Sequence, residues 1–359
     1  MIRQAASRSL ALALLLGAAV CTGACRERAT AAAGDAASAA GTTPYDIETT
    51  DIARVLGGMP PSQPQPFAVL LATTTWRDYE AESRSRWTAA KASKWDPVRR
   101  WAGTELKETT TGCQTLLHPF GGTDFLPAYL MFPLCEGYVL VGGDPVGQMP
   151  TFTEATALQV ARMADEIKRS FPEVFAPGAA PTRRAASQVR PGALRLLLVQ
   201  LARLDARIVH ASRFDLASNG HPLEAIPIRG GNARPAALSL TFEVPGLRPQ
   251  SLVYLPADLD DGAMKRKPGV WTFLRLQAPF TTLLAPAADM SGEGATILRD
   301  LILDQSRGIL QDRPAIPARL LGPGRWTVST LSSPPAGAFG PGAAPTLAVR
   351  RASASPGPK

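Results

Sequence analysis

The sequence predicts an α+β fold, with α/β organisation as the alternative, arranged as two lobes of mixed sheet with packed helices. Three observations lead there. Stretches with apolar residues at helical spacing alternate with short β-rich runs bounded by Gly and Pro. Hydrophobic residues make up 45% of the 359-residue chain, enough to bury a sizeable core. The order strand, loop, strand, helix occurs once in each half, which raises an internal β–loop–β–α duplication.

The first half, residues 45–175, opens on a short helix at Asp46–Leu56 with Gly57-Gly58 where a helix C-cap favours glycine. Trp76–Leu106 reads as mostly helical. A break is expected at Asp96-Pro97, with Pro97 starting a new helix. Gly112–Leu117 and Tyr138–Val141 read as strands. Thr151-x-x-Glu154 is a capping box ahead of a helix whose stripe is Leu158, Ala161, Ala164, Ile167 and Phe171. A Pro-rich linker, residues 176–192, separates the second half, residues 193–331. That half starts with a helix or buried strand at Leu194–Leu204. Strands follow at Ala206–Ala211, Ala237–Glu243, Ser251–Leu255 and Thr281–Leu284, then a helix at Thr296–Leu303 and strands at Gly308–Leu310 and Trp326–Thr330. Residues 332–359 are rich in Pro, Gly, Ala and Ser and read as a disordered tail. In the duplication, Gln114–His118 matches Gln250–Tyr254 and Tyr138–Val141 matches Thr281–Leu284. A pseudo-twofold axis would then leave a cleft between two lobes.

The amino terminus is the most specific stretch. Arg3 and Arg8 precede the apolar run Leu10–Val20, which ends at Cys21-Thr22-Gly23-Ala24-Cys25. That is the layout of a secretory signal peptide over residues 1–24, too short to span a bilayer. Its exit resembles the lipobox of bacterial lipoproteins, in which cleavage leaves a lipid-modified cysteine as the first residue. The resemblance implies lipid attachment at Cys25, and it departs from the pattern at Thr22, where that family carries Leu or Val. Residues 25–44 then read as a tether. The expected location is the periplasmic face of the outer membrane if lipidated, and otherwise the periplasm or the medium.

Removing residues 1–24 takes away Arg3 and Arg8 and lowers the formal charge from +8 to +6. The positive charge is scattered, with no stripe and no interleaved aromatics, which argues against a nucleic-acid partner. Cys113 and Cys135 are then the remaining pair, and in an oxidising compartment they are expected to form a disulfide.

Candidate chemistry gathers at strand ends. His118, Gly121-Gly122 and Asp124 form a strand-end loop in which Asp124 could face an imidazole or a substrate hydroxyl, or cap the following segment. Asp144, after Gly142-Gly143, could join Asp124 as a carboxylate pair of the glycosidase kind. Asp258, Asp260 and Asp261 crowd a turn without completing a calcium loop. The chain has no G-x-S-x-G, S-x-x-K, H-E-x-x-H, G-x-x-x-x-G-K or C-x-x-C motif, and no metal site or cofactor is expected.

The run Leu117–Phe125, with Leu310-Gln311-Asp312 and Ile316-Pro317, is similar to a set of uncharacterised bacterial proteins over most of Tyr45–Leu320. Those proteins carry Pro where Thr123 stands and Asp-Ser-Gly where Arg313-Pro314-Ala315 stands. The resemblance implies no activity. Two functions are therefore expected. One is an exported lipoprotein binding a small molecule, a glycan or an envelope protein, or serving structurally. The other is a hydrolase of an envelope glycan or similar polymer acting through His118, Asp124 and Asp144, with Asp258 and Asp260 near the same cleft.

Overall fold

The computed structural model describes residues 45–150, 152, 161–162, 164–165, 192–229, 237–285, 290, 294–312, 315–322, 324–335, 339 and 345–351. The expected signal peptide and tether, residues 176–191 and most of the helix expected after Thr151 lie outside them.

The chain builds its helices first. Helix α1 (Ile47–Leu56) starts because the Asp46 carboxylate accepts from the Thr49 N–H at 2.9 Å. It stops at Gly57-Gly58, where Gly58 turns to φ +64° against Ser83, leaving no room for a Cβ. Helix α2 (Thr74–Ala90) is capped by the Thr73 hydroxyl, which accepts from the Trp76 N–H. The break expected at Asp96-Pro97 takes the form of one wide π-turn, Lys91–Trp95, leading directly into α3 (Asp96–Glu105). Pro97 has no N–H to offer the preceding turn, and the Asp96 N–H reaches back five residues to Lys91 O.

The strands then follow. They are β1 (Thr115–His118) and β2 (Gly137–Gly142), joined through helix α4 (Phe125–Met131). Helix α5 (Ala193–Arg203) leads into β3 (Arg207–Phe214), the two-residue β4 (Ile226–Pro227), β5 (Ala237–Glu243) and β6 (Gln250–Pro256). Helices α6 (Asp261–Arg266) and α7 (Pro268–Leu276) precede β7 (Phe280–Leu284), and α8 (Thr296–Gln305) precedes β8 (Ser306–Gln311). Strands β9 (Trp326–Thr330) and β10 (Thr346–Arg350) close the chain.

All ten strands lie in one mixed sheet, ordered β4-β3-β5-β6-β2-β1-β7-β8-β10-β9. The five central strands, β6 to β8 in that order, run parallel, and antiparallel strands extend the sheet on both sides. Leu116, Tyr138, Leu140, Leu252, Leu283 and Leu310 pack on one face with α1 to α5. Leu117, Val139, Val141, Leu255, Leu284 and Ile309 pack on the other face with α6 to α8. Mixed α+β content is thus observed, as a sheet with helices on both faces.

Two expectations are corrected. There are no two lobes: β1 and β2 of the first half are flanked by β6 and β7 of the second, and the described residues pack as one unit. The equivalent strands β1 and β6 lie on either side of β2 and run the same way, so no twofold cleft separates them. The tail from residue 332 is not wholly irregular either. Thr346–Arg350 forms β10, wedged between β8 and β9, with Leu347 and Ala348 buried. Its Thr-Leu-Ala-Val run is a strand pattern that the surrounding Pro and Gly obscure.

Candidate functional site at the carboxyl edge of the sheet

Parallel strands deliver their following loops to one edge, so the loops after β6, β2, β1, β7 and β8 leave together. The loop after β1 leads to α4 on one face, and the loop after β7 leads to α8 on the other. Neighbouring strands whose connections part in this way open a crevice at their carboxyl ends, the usual ligand position in such sheets. His118 stands there.

The β1–β7 ladder runs as far as Leu117 opposite Thr282. Beyond it the strands diverge, and the His118 side chain continues the ladder: Nδ1 lies 2.9 Å from Leu283 O. A carbonyl can only accept, so Nδ1 carries the proton and Nε2 does not. The ring is 2% exposed, and desolvation lowers its pKa to about 4 despite the opposing pull of the carbonyl. Its other face lies on Gly121, where a Cβ would stand 2.0 Å from Cδ2. Gly122, at φ +52°, donates its N–H to Val141 O at 3.0 Å, folding the loop over the end of β2. Gly142 must be glycine for the same reason, since a Cβ there would meet Gly122 Cα at 2.5 Å.

The carboxylates divide. Asp124 holds the N-cap position of α4, but its side chain makes no cap hydrogen bond. Gln200 of α5 does that instead: its Oε1 accepts from the Leu126 N–H at 2.5 Å, and its Nε2 donates to Thr123 O at 2.6 Å. Asp144 is buried, and the Tyr254 hydroxyl donates to its carbonyl at 2.7 Å. Asp258 is exposed beside Gly143. Asp260 caps α6, accepting from the Ala263 N–H at 2.8 Å. Asp261 accepts from the Thr296 hydroxyl and the Ile297 N–H at the start of α8, bonds that hold its carboxyl below the usual range. The five expected residues therefore share the carboxyl edge through their loops, while His118 and Asp260 are engaged in holding the fold. Among the described residues, no three His, Cys, Asp or Glu side chains gather where they could hold a metal ion.

Sequence reasoning passed over Gln200, although a polar residue inside the apolar helix Leu194–Leu201 was the available signal. Gln311 was named only within the run Leu310-Gln311-Asp312; its amide bonds both backbone groups of Ile316 and fixes the loop after β8. At the opposite, amino edge, a cavity of about 170 Å³ lies at the starts of β1, β7 and β8, lined by Glu108, Cys113, Gln114, Thr281 and Arg307 among others. Beside it Cys113 and Cys135 are joined in a disulfide with Cα atoms 4.5 Å apart. The cause is the parallel register of β1 and β2, which pairs Leu116 with Tyr138 and sets the residues just before both strands side by side.

Set against family models, curated proteins and solved structures, the chain matches none.

Proposed function

We propose that this protein is an exported bacterial envelope lipoprotein, anchored through Cys25, whose folded body is a binding or structural module. The observation that carries the reading is the Cys113–Cys135 disulfide. It joins the cysteines left after processing at Cys25, in buried positions, as expected of a protein held in an oxidising compartment. The anchor itself rests on the lipobox resemblance of residues 21–25. The crevice at the carboxyl ends of β1 and β7 is the proposed place for a small polar ligand. A non-catalytic role is supported by His118, whose Nδ1 is bound to a main-chain carbonyl and whose ring is packed on Gly121.

The test is processing and partition in the host. The native protein should sediment with outer membranes, and Cys25→Ser should release it or leave the leader uncleaved. A soluble native protein whose mature chain begins beyond residue 25 would overturn the anchor. One observation favours the hydrolase reading: the loops bearing His118, Asp124 and Asp144 leave neighbouring parallel strands at one edge. Asp144→Asn without any change in glycan turnover by purified protein would remove it.

A further inference from the structure

The two borders of the sheet differ in kind. At one, β4 is two residues long and ends in Pro227, which has no N–H to donate. At the other, β9 runs Trp-Thr-Val-Ser-Thr without a proline or a charge, and Thr327 to Thr330 are exposed in succession, Val328 by 46%. The Leu331 N–H bonds to Pro345 O and the Arg351 N–H to Arg325 O, both at 3.0 Å. Odd-numbered residues from 325 to 331 thus bond toward β10. By the alternation of an antiparallel ladder, Trp326, Val328 and Thr330 turn their N–H and C=O groups outward. Among the described residues, none of these three N–H groups meets a main-chain partner on the outer side.

Sheet borders are normally blunted by charge, proline, a bulge or shortness, because an open row of main-chain groups is a template for another strand. β4 is blunted and β9 is not. An uncharged β-branched run at such a border pairs unless something covers it.

We propose that β9 is a self-association edge, pairing antiparallel with β9 of a second copy of this chain about a twofold at Val328. In that register Val328 faces its own copy, Thr327 faces Ser329, Trp326 faces Thr330 and Arg325 faces Leu331. No like charges oppose each other, and Arg325 is paired within its own chain to Asp304 at 3.2 Å. The edge is therefore complementary to itself. At the opposite border β4 ends in Pro227, and both main-chain groups of Ile208 in β3 are already bonded, to the Asp46 N–H and the Thr50 hydroxyl. Head-to-tail addition therefore meets no matching row, and the pairing closes as a dimer instead of growing into a fibre. The contact is narrow, so the dimer should form reversibly and depend on concentration.

The experiment uses the full-length protein. Sedimentation over a concentration series should show a monomer–dimer equilibrium for the parent chain. Val328→Pro should shift it at least tenfold toward monomer with an unchanged melting temperature, because that N–H takes no part in the β10 ladder. Under mild oxidation Val328→Cys should cross-link as a dimer, since facing residues of a hydrogen-bonded pair lie about 5.5 Å apart, within disulfide range. Thr327→Cys, facing Ser329 of the other copy, should cross-link at least tenfold less and serves as the control for other thiols. Should Val328→Pro fail to fold, Val328→Lys and the cysteine pair decide alone. A parent chain monomeric throughout, a dimer indifferent to residue 328, or equal cross-linking at 327 and 328 would each overturn the proposal.

Discussion

His118 is neutral in the folded protein because burial leaves it no water to ionise in, and this outweighs the opposing pull of the Leu283 carbonyl. The unfolded imidazole titrates near pH 6.5 and the folded one near 4. Between these values the unfolded chain holds more protons, so stability falls as pH drops from 6.5 to 4 and is fully present above 6.5. The difference amounts to about 3 kcal/mol at the acid end. Urea unfolding at several pH values should show that slope in the parent protein. His118→Gln, which keeps a donor but cannot titrate, should flatten it. An unchanged slope would mean that the acid sensitivity lies elsewhere. Gly121→Ala should cost about 2 kcal/mol or more, since the new methyl group would overlap the ring. His118→Ala with Gly121→Ala should cost less than the two singly, because removing the ring removes the clash.

Among the elements, α4 depends most on a distant residue. Gln200 supplies the acceptor for its Leu126 N–H and the donor for Thr123 O, both in a buried setting. Gln200→Leu should cost roughly 3 kcal/mol, because two buried main-chain groups lose their partners. Gln200→Glu should recover only the accepting half. The Cys113–Cys135 bond ties the starts of β1 and β2, and replacing both with Ser should lower stability by roughly 3 kcal/mol on the chain-entropy view. Thermal melts of the three variants check both figures. Strands β5 and β9 fall where period-two runs put them, Ala237–Glu243 and Trp326–Thr330, because their sequences alternate cleanly between punctuating turns. Helix α4 escaped the reading for a physical reason. Phe-Leu-Pro-Ala-Tyr-Leu-Met is apolar throughout, so it carries no amphipathic period, and five of its seven residues are buried.

At the scale of the whole molecule, one sheet carries both halves of the chain. Local pattern could place eight of the ten strands, missing β4 and β10, but not their order, because β6 and β7 reach opposite sides of the β2–β1 pair by connections of unequal length. The same limit applies to the site. His118, Asp124 and Asp144 were legible as strand-end residues, whereas the tie from His118 to Leu283 joins positions 165 residues apart. Strand β10 gives the one-sheet arrangement a direct consequence. Deleting residues 346–359 removes the partner of both β8 and β9, and should lower the melting temperature and promote aggregation. A truncated chain as stable as the parent would show that β10 is dispensable. The central claim, an exported and anchored body closed by a disulfide, is tested most directly by the intact mass of the protein isolated from its native envelope. The account predicts a chain beginning at Cys25, heavier than its sequence by the mass of its acyl groups and lighter by the two hydrogens lost in joining Cys113 to Cys135. An unacylated chain, or one whose two cysteines both take up a thiol label without reduction, would contradict it.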